Sequence, residues 1–450
     1  MDIVSILRGF LGIGVLLGIA FLLSNNKKHI NWRLVSGGLS IQFVLAIFLI
    51  KGDNMAEFFA PLGWVKDFFG WVSSFFVIVL QYSEKGASFV FGNLALSPGQ
   101  QGSLGFFFAF QVLPTIIFFA ALMAILYYLG IMQKIVQAMA WVMAKIMGTS
   151  GAESLSCTAN IFVGQTEAPL IVKPYLDKMT KSEMLTVMTG GMATIAGGVM
   201  AAYIQMLGQS YAAAKGITIS EGQLLFAKQL LSASVLAAPA ALLISKIIFP
   251  EVDEPATRGQ VKLSVEKNGS NVIEAASNGA IDGLQLAINV GGMLIAFICL
   301  IALFNGMLGW VGDVTGLSAV LVEHYGKPLS FEILIGFILQ PVAFAIGIPF
   351  EDALNFGSLL GTKTVLNEFV AYLELSRMVE VKEIINPKVI FMSSYALCGF
   401  ANFSSIAIQV GGIGALAPHR KADLAQLGLK AVIGGTLSTL LSATIAGIFF

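Results

Sequence analysis

The chain has 450 residues, of which 56% are hydrophobic and only 12% are charged, and its mean hydropathy is +0.83. In soluble domains about a quarter of all residues are charged, so this composition places the chain in a lipid bilayer. The 26 basic residues balance 26 acidic ones. Without a basic surplus, the sequence argues against a nucleic-acid-binding protein.

Eight segments are apolar over roughly the 20 residues that a helix needs to cross a bilayer. They are residues 4–23, 34–50, 105–128, 184–207, 226–249, 284–310, 387–411 and 426–449. The first is long for a signal peptide and no small-residue cleavage site follows it, so we expect it to be retained. Segment 61–80 contains Lys66 and Asp67 between Trp64 and Trp71, which predicts an interfacial helix instead of a span.

Two further apolar segments, 149–176 and 340–376, are interrupted by glycine, proline and carboxylates. Broken backbone at membrane depth is tolerated only where it is buried in protein or lines a cavity. We therefore predict a re-entrant helical hairpin in each segment. The fold class is an all-α integral membrane protein with about eight transmembrane helices and two hairpins.

The order of these segments repeats within the chain. A span, a hairpin and two spans occupy 105–249, and the same series occupies 284–450 after a polar linker at 250–283. Residues 1–104 precede both units as scaffold spans with the interfacial helix. An odd number of crossings in each unit makes the repeat inverted, which is typical of secondary transporters. Basic residues around the linker predict that it is cytoplasmic.

Carboxylates inside the hairpins are the most informative residues. Glu167 and Glu368 lie at matching places in the two units, and a carboxylate within a membrane normally faces a site or a partner. The alternatives are a structural ion pair, for example with Lys363, or a shallow position. Gln165 and Thr166 add an amide and a hydroxyl, the mixed set that a polar neutral ligand needs, although Thr166 could instead cap a helix.

Unwound helix is predicted in both units, at residues 189–198 and 400–405. The glycines of the first segment could equally mark close helix packing. Asn402 and Ser405 are three residues apart and could bond a sugar hydroxyl, while Phe400 could stack on a base. All three histidines lie in polar stretches and the cysteines match no metal site, so we expect no enzyme. Without a phosphate-binding loop, an ion gradient or the solute's own gradient must supply the energy.

Four stretches resemble the signatures of the concentrative nucleoside transporters. They are GQTEAPL at 164–170, LNEFV at 366–370, GFAN at 399–402 and FQVLPTIIFF at 110–119. The resemblance covers nearly the whole chain. It implies an elevator-type transporter that forms homotrimers in the bacterial inner membrane.

The resemblance also implies roles for individual residues. Positions matching the nucleobase side are Gln165, Thr166, Glu167, Val199 and Phe400. Positions matching the ribose side are Glu368, Asn402 and Ser405. Positions matching a sodium site are Asn160, Val163, Thr194 and Ile195. Position 194 is often serine in relatives, and the threonine of this chain keeps the hydroxyl.

The implied function is uptake of nucleosides such as uridine, cytidine and adenosine, driven by sodium and without an organic cofactor. Two alternatives stay open. Coupling could be to protons, as in some members of the family. The solute could be another small polar molecule, such as a free nucleobase.

Overall fold

The computed structural model describes residues 3–58, 63–98, 100–259 and 269–450, and these residues form helices joined by turns. The α-helices of this part of the chain are α1 (Ile3–Leu22), α2 (Trp32–Phe58), α3 (Trp64–Phe91), α4 (Phe108–Gln111), α5 (Leu113–Tyr128), α6 (Ile131–Met147), α7 (Gly151–Ala159), α8 (Ala168–Ile171), α9 (Lys173–Leu176), α10 (Lys181–Ala193), α11 (Gly197–Lys215), α12 (Ile219–Ile248), α13 (Val272–Thr315), α14 (Leu317–Tyr325), α15 (Phe331–Ala345), α16 (Phe350–Val365), α17 (Glu368–Glu380), α18 (Pro387–Ala396), α19 (Phe403–Leu416) and α20 (Lys421–Phe449).

Within the described residues, eight helical stretches are long and apolar enough to cross a membrane. Seven of them overlap predicted spans, so the chain is a multi-pass membrane protein. The eighth contains α3, which is longer than the interfacial helix predicted over 61–80, and its position in a bilayer stays a prediction. The predicted span 387–411 is instead divided between the short helices α18 and α19.

Burial separates a core from a periphery. The most apolar window of α12 is completely buried, and those of the α10–α11 stretch and α20 are 89% and 83% buried. The corresponding window of α13 is only 17% buried, because most of its apolar side chains face outward. In a membrane protein such outward apolar faces suit lipid or another subunit. The site described below lies on the buried helices, with α13 as one wall.

The starts of three core helices are fixed by their sequences. Ser150, Thr180 and Thr218 each cap a helix by accepting the N–H of a glutamate three residues later, whose side chain bonds back. Such capping boxes satisfy two backbone donors at a helix start. Two of these helices, α7 and α10, begin the first hairpin and the broken helix that follows it.

The first hairpin consists of α7, a turn at 160–167, and the short helices α8 and α9. It agrees closely with the predicted segment 149–176. The second hairpin is formed by α16 and α17, whereas residues 340–345 of the predicted segment 340–376 belong to the preceding helix α15. Their apolar composition continues into the hairpin, so composition alone did not mark the boundary.

Two helices are broken in the centre of the protein. The first break separates α10 from α11 at 194–196, and the second separates α18 from α19 at 397–402. The expectation that unwinding begins at 189 is wrong, since Gly190 and Gly191 are helical. These glycines serve packing instead: a Cβ on Gly190 would lie 2.6 Å from Sγ of Cys157 in α7. The alternative of close helix packing therefore holds for them.

The two units follow the same order. In the first, α5 precedes the first hairpin, the broken helix α10–α11 and α12. In the second, α13 precedes the second hairpin, the broken helix α18–α19 and α20. Extra helices, α6 in the first unit and α14 and α15 in the second, stand before each hairpin and were not predicted. The linker expected at 250–283 is shorter, because α13 already begins at Val272, and its residues 260–268 lie outside the described part.

Candidate functional site

The turn of the first hairpin directs an amide toward the second repeat. Gln165 is buried, and its Nε2 donates to Oγ of Ser405 over 3.1 Å. Its Oε1 accepts a hydrogen bond of 3.0 Å from Nε2 of Gln409. Both partners belong to α19, so two bonds from the second repeat fix the orientation of this amide.

Glu167 stands at the end of the same turn. Its Oε2 accepts the backbone N–H of Gly164 over 2.8 Å, which closes the turn before α8. The N-cap position of α8 is held by Glu167 and not by Thr166, so the capping role considered for Thr166 is wrong. Pro169 lies in the first turn of α8, where its missing N–H costs nothing. Glu167 keeps an exposed side chain that faces open space between the helices.

The second hairpin presents a buried carboxylate. Glu368 is the first residue of α17, and the dipole of a helix favours negative charge at this N-terminal end. Its Oε1 accepts the Tyr203 hydroxyl over 2.9 Å, and its Oε2 accepts Nδ2 of Asn402 over 3.2 Å. The Oδ1 of Asn402 caps α19 by accepting the N–H of Ser405 over 2.9 Å. One asparagine therefore both starts a helix and holds the carboxylate.

Lys363 and Glu368 do not form the ion pair that the sequence left open, because each side chain bonds to other residues. The ammonium of Lys363 donates to the Ala396 carbonyl over 2.8 Å and to Oγ1 of Thr439 over 3.1 Å. The carboxylate of Glu368 bonds to Tyr203 and Asn402. Both carboxylate oxygens of Glu368 thus accept hydrogen bonds from neutral groups.

All eight residues predicted for substrate binding line one cavity, whose volume is about 170 Å³. The first hairpin and the start of α11 supply one side, and the second hairpin with the start of α19 supplies the other. The cavity-lining residues from the sequence prediction are Gln165, Thr166, Glu167, Val199, Glu368, Phe400, Asn402 and Ser405. Apolar side chains of α13, including Val290 and Met293, close the remaining wall.

This lining can bind a small polar molecule without reacting with it. Amide, hydroxyl and carboxylate groups converge from both hairpins, and Phe400 offers an aromatic face beside them. Such a set supplies donors and acceptors to a neutral solute with several polar edges. The arrangement is that of a recognition site.

A second, larger cavity of about 540 Å³ adjoins the first. Glu167, Ala196 and Leu286 line both cavities. From there the second cavity runs between the first hairpin and the helices α5 and α13, and it reaches Lys173 and Gln133. The two cavities therefore adjoin at Glu167, and the second extends along the first hairpin as far as Lys173.

Sequence reasoning missed Tyr203 and Gln409. Each lies on a broken helix and bonds to a hairpin residue of the other repeat. Gln409 also donates to the backbone carbonyl of Met188 over 3.0 Å. A signal for Gln409 existed, because a lone amide in the apolar helix Phe403–Leu416 needs a partner. Nothing in the sequence distinguishes Tyr203 from an ordinary buried tyrosine.

The predicted sodium ligands lie in two segments that contact each other, the turn of the first hairpin and the first break. The N–H of Gly197 donates to the carbonyl of Phe162 over 3.1 Å, which joins the hairpin turn to the start of α11. Asn160 is buried, and its Nδ2 donates to the carbonyl of Ser156 while its Oδ1 has no hydrogen-bond partner among the described residues. A buried oxygen without a partner is costly unless a cation or a donor approaches it.

Thr194, in the first break, offers a further oxygen to a cation. Its hydroxyl donates to the carbonyl of Gly190 over 3.0 Å, which leaves the oxygen's lone pairs available. Val163 and Ile195 lie next to these residues in the turn and in the break, where non-helical backbone can offer carbonyl oxygens. Hard cations prefer such oxygen ligands, so the residues present fit a sodium ion.

The fold and the site together define a multi-pass secondary transporter for a small polar solute. Three family profiles match this chain and cover most of its length. They are the Na+-dependent nucleoside transporter N-terminus at residues 11–94, nucleoside recognition (Gate) at 109–210, and the Na+-dependent nucleoside transporter C-terminus at 229–447. The chain belongs to the concentrative nucleoside transporter family, and the family models that it matches describe Na+-dependent transporters.

Individual relatives extend over the whole chain. An uncharacterized transporter of Haemophilus influenzae is 44% identical over 99% of this chain and 98% of its own length. Sodium/nucleoside cotransporter 1 of Rattus norvegicus is 41% identical over 99% of this chain, which spans only 64% of that protein. The structure of CNTnw in an inward-facing substrate-bound state is 41% identical, with a TM-score of 0.83 over 98% of each chain.

Proposed function

We propose that this chain is a sodium-driven nucleoside symporter of the cytoplasmic membrane and that it works as a homotrimer. The observation that carries the proposal is the cavity in which Gln165, Thr166 and Glu167 of the first hairpin face Glu368 of the second hairpin and Asn402 at the start of α19. Membership of a family of Na+-dependent nucleoside transporters supports both the solute class and the ion.

The two sides of the cavity suit the two halves of a nucleoside. The carboxylate of Glu368 can accept from two vicinal ribose hydroxyls, and Asn402 already holds it in place. On the opposite side, Gln165 and Glu167 offer an amide and a carboxylate to the polar edge of the base, with Phe400 beside them. Val199 adds apolar contact on the base side. A free nucleobase would leave the Glu368 side without a partner.

Sodium would act through the first hairpin. An ion held by Asn160 and Thr194, with carbonyls of Val163 and Ile195, would join the hairpin turn to the first break. Asn160 and Val163 share the turn 160–167 with Gln165. Ordering of the turn by sodium therefore favours nucleoside binding, and by thermodynamic reciprocity the nucleoside favours sodium binding.

The position of the two cavities supports transport by alternating access. The second cavity, which adjoins the site at Glu167, would give it access to one end of the molecule, and movement of the hairpins as one body would exchange that access for the other end. One charge moving through 100 mV contributes about 2.3 kcal/mol. A tenfold sodium gradient adds about 1.4 kcal/mol, so together they sustain accumulation of roughly several hundred-fold.

The test is uptake of radiolabelled uridine into proteoliposomes under an imposed sodium gradient or an imposed proton gradient. We expect accumulation with sodium alone, and none with potassium in its place. Accumulation with protons alone would keep the solute but overturn the ion. Failure of uridine, adenosine and inosine under both gradients would overturn the solute class. Unlabelled uracil should compete far less well than unlabelled uridine.

A further inference from the structure

Lys363 is a buried cation that the proposed transport mechanism does not use. Its side chain is completely buried, on the first limb of the second hairpin. A buried ammonium is costly unless its donors are satisfied. Here it donates to the carbonyl of Ala396 and to the hydroxyl of Thr439 on α20. Ala396 is the last residue of α18, so the charge meets the negative end of a helix dipole.

The same construction exists in the first repeat without a lysine. Asn160 ends the first limb of the first hairpin, and Thr194 follows the last residue of α10, the first half of the other broken helix. In both repeats, then, the first limb of a hairpin packs against the half-helix before the break, through Cys157 and Gly190 in the first repeat and through Lys363 and Ala396 in the second. The first repeat offers a cation an unpartnered amide oxygen at this place. The second repeat brings its own positive charge.

The position of Lys363 also connects it to the solute side of the cavity. It lies five residues before Glu368 in the chain. The carboxylate of Glu368 itself bonds to Tyr203 and Asn402. The bond of Lys363 to Ala396 ties the hairpin to the half-helix that precedes the break containing Asn402. Two of the residues that face the ribose are therefore held in one unit by this ammonium.

We propose that the ammonium of Lys363 occupies, in the second repeat, the place that the coupling sodium ion takes in the first. It is a positioning residue: it fixes Glu368 and Asn402 permanently, so that one sodium ion per nucleoside completes the site. The inference rests on the proposed sodium-coupled function. Different cations then order the two hairpins: a bound sodium ion orders the first, and the ammonium of Lys363 orders the second.

The first test is a neutral variant of similar length, Lys363→Met, in the full-length purified protein. We expect uridine affinity at saturating sodium to fall at least tenfold, because the ribose side is no longer held. The sodium concentration that half-saturates thermal stabilisation without nucleoside should change less than twofold. If Lys363 had only a structural role, its replacement would change both the uridine affinity and the half-saturating sodium concentration, or neither of them. Lys178→Met, which removes an exposed lysine, is the control, and wild-type uridine affinity in Lys363→Met would overturn the proposal.

A second test needs no variant and therefore does not depend on folding of a mutant. Parallel fluxes of labelled sodium and labelled uridine in proteoliposomes give the number of ions per nucleoside. One sodium per uridine is expected, and two would overturn the proposal, since the second repeat would then bind its own ion. If protons alone drove uptake, the proposed coupling would fail, and the uridine affinity of Lys363→Met would still decide the role of Lys363.

Discussion

The hydroxyl of Tyr203 and the carboxylate of Glu368 are joined by a hydrogen bond of 2.9 Å that connects the two repeats. The tyrosine ring is fixed in turn by Phe369 and Tyr372, with ring centroids 5.0 Å and 4.4 Å away. Because Asn402 holds the other oxygen, the carboxylate is oriented before a solute arrives. Orientation in advance reduces the entropy that binding must overcome.

Glu368→Gln tests the ribose assignment. The amide keeps the size of the side chain but replaces one acceptor oxygen with a donor, so it cannot accept from two vicinal hydroxyls. We expect uridine uptake to fall to background while the protein still folds and inserts. Uptake by proteoliposomes measures this, with Glu374→Gln on the same helix as control, since Glu374 pairs with Arg377 outside the cavity. Normal uptake by Glu368→Gln would refute the assignment.

Tyr203→Phe tests the orientation of that carboxylate separately from its charge. The ring and its packing remain, but Oε1 of Glu368 loses its donor. A hydrogen bond to a charged group contributes about 1.5–3 kcal/mol, so we expect uridine affinity to weaken by about tenfold or more. Equilibrium binding of labelled uridine measures the change. Tyr211→Phe, on the same helix and packed against Phe226, should bind like the wild type.

The sequence predicted the polar residues of the hairpins but missed Tyr203 and Gln409, two of the residues that hold them. Glu167 and Glu368 could be identified because a carboxylate within a membrane segment needs a reason. Tyr203 could not, because its partner is 165 residues away and only the fold brings the two together. Gly190 shows a different limit: glycine suits both a break and a tight helix contact, and only the position of Cys157 decides between them.

Gln409→Leu tests whether Gln165 reads the base. Without the donor at 3.0 Å, the amide of Gln165 loses one of the two bonds that fix its orientation. We expect the ratio of uridine to adenosine affinity to change more than about fivefold, since amide orientation decides which base edge is matched. Competition binding with both nucleosides gives the ratio. Gln42→Leu removes another buried amide, between α2 and α12, and should leave the ratio unchanged even where it lowers stability.

Asn160→Ala tests the sodium site. Removal of the unpartnered Oδ1 takes away a ligand from the proposed ion, so sodium should no longer raise uridine affinity at ordinary concentrations. We expect the half-saturating sodium concentration for uridine binding to rise at least tenfold. In Thr158→Val, the lost hydroxyl had bonded only within its own helix, so its sodium titration should match the wild type. Equal titrations for all three proteins would place sodium elsewhere.

Gly190→Ala tests close packing of the first hairpin on α10. A new Cβ would lie 2.6 Å from Sγ of Cys157, so one helix must shift. Overpacking of this kind costs about 1–3 kcal/mol and should lower the unfolding temperature. The double variant with Cys157→Ala should recover much of that loss, which a local effect on helix propensity would not allow. Gly411→Ala, whose Cβ would meet open space, is the control.

Each hairpin is bonded to the broken helix of the opposite repeat: Gln165 to Ser405 and Gln409, and Glu368 to Tyr203. A half-length protein made of one repeat would therefore carry a hairpin whose polar groups have lost their partners. If such halves ever existed as separate genes, binding required two chains inserted in opposite directions and docked face to face. In one polypeptide that encounter is intramolecular, and the two halves need not be identical.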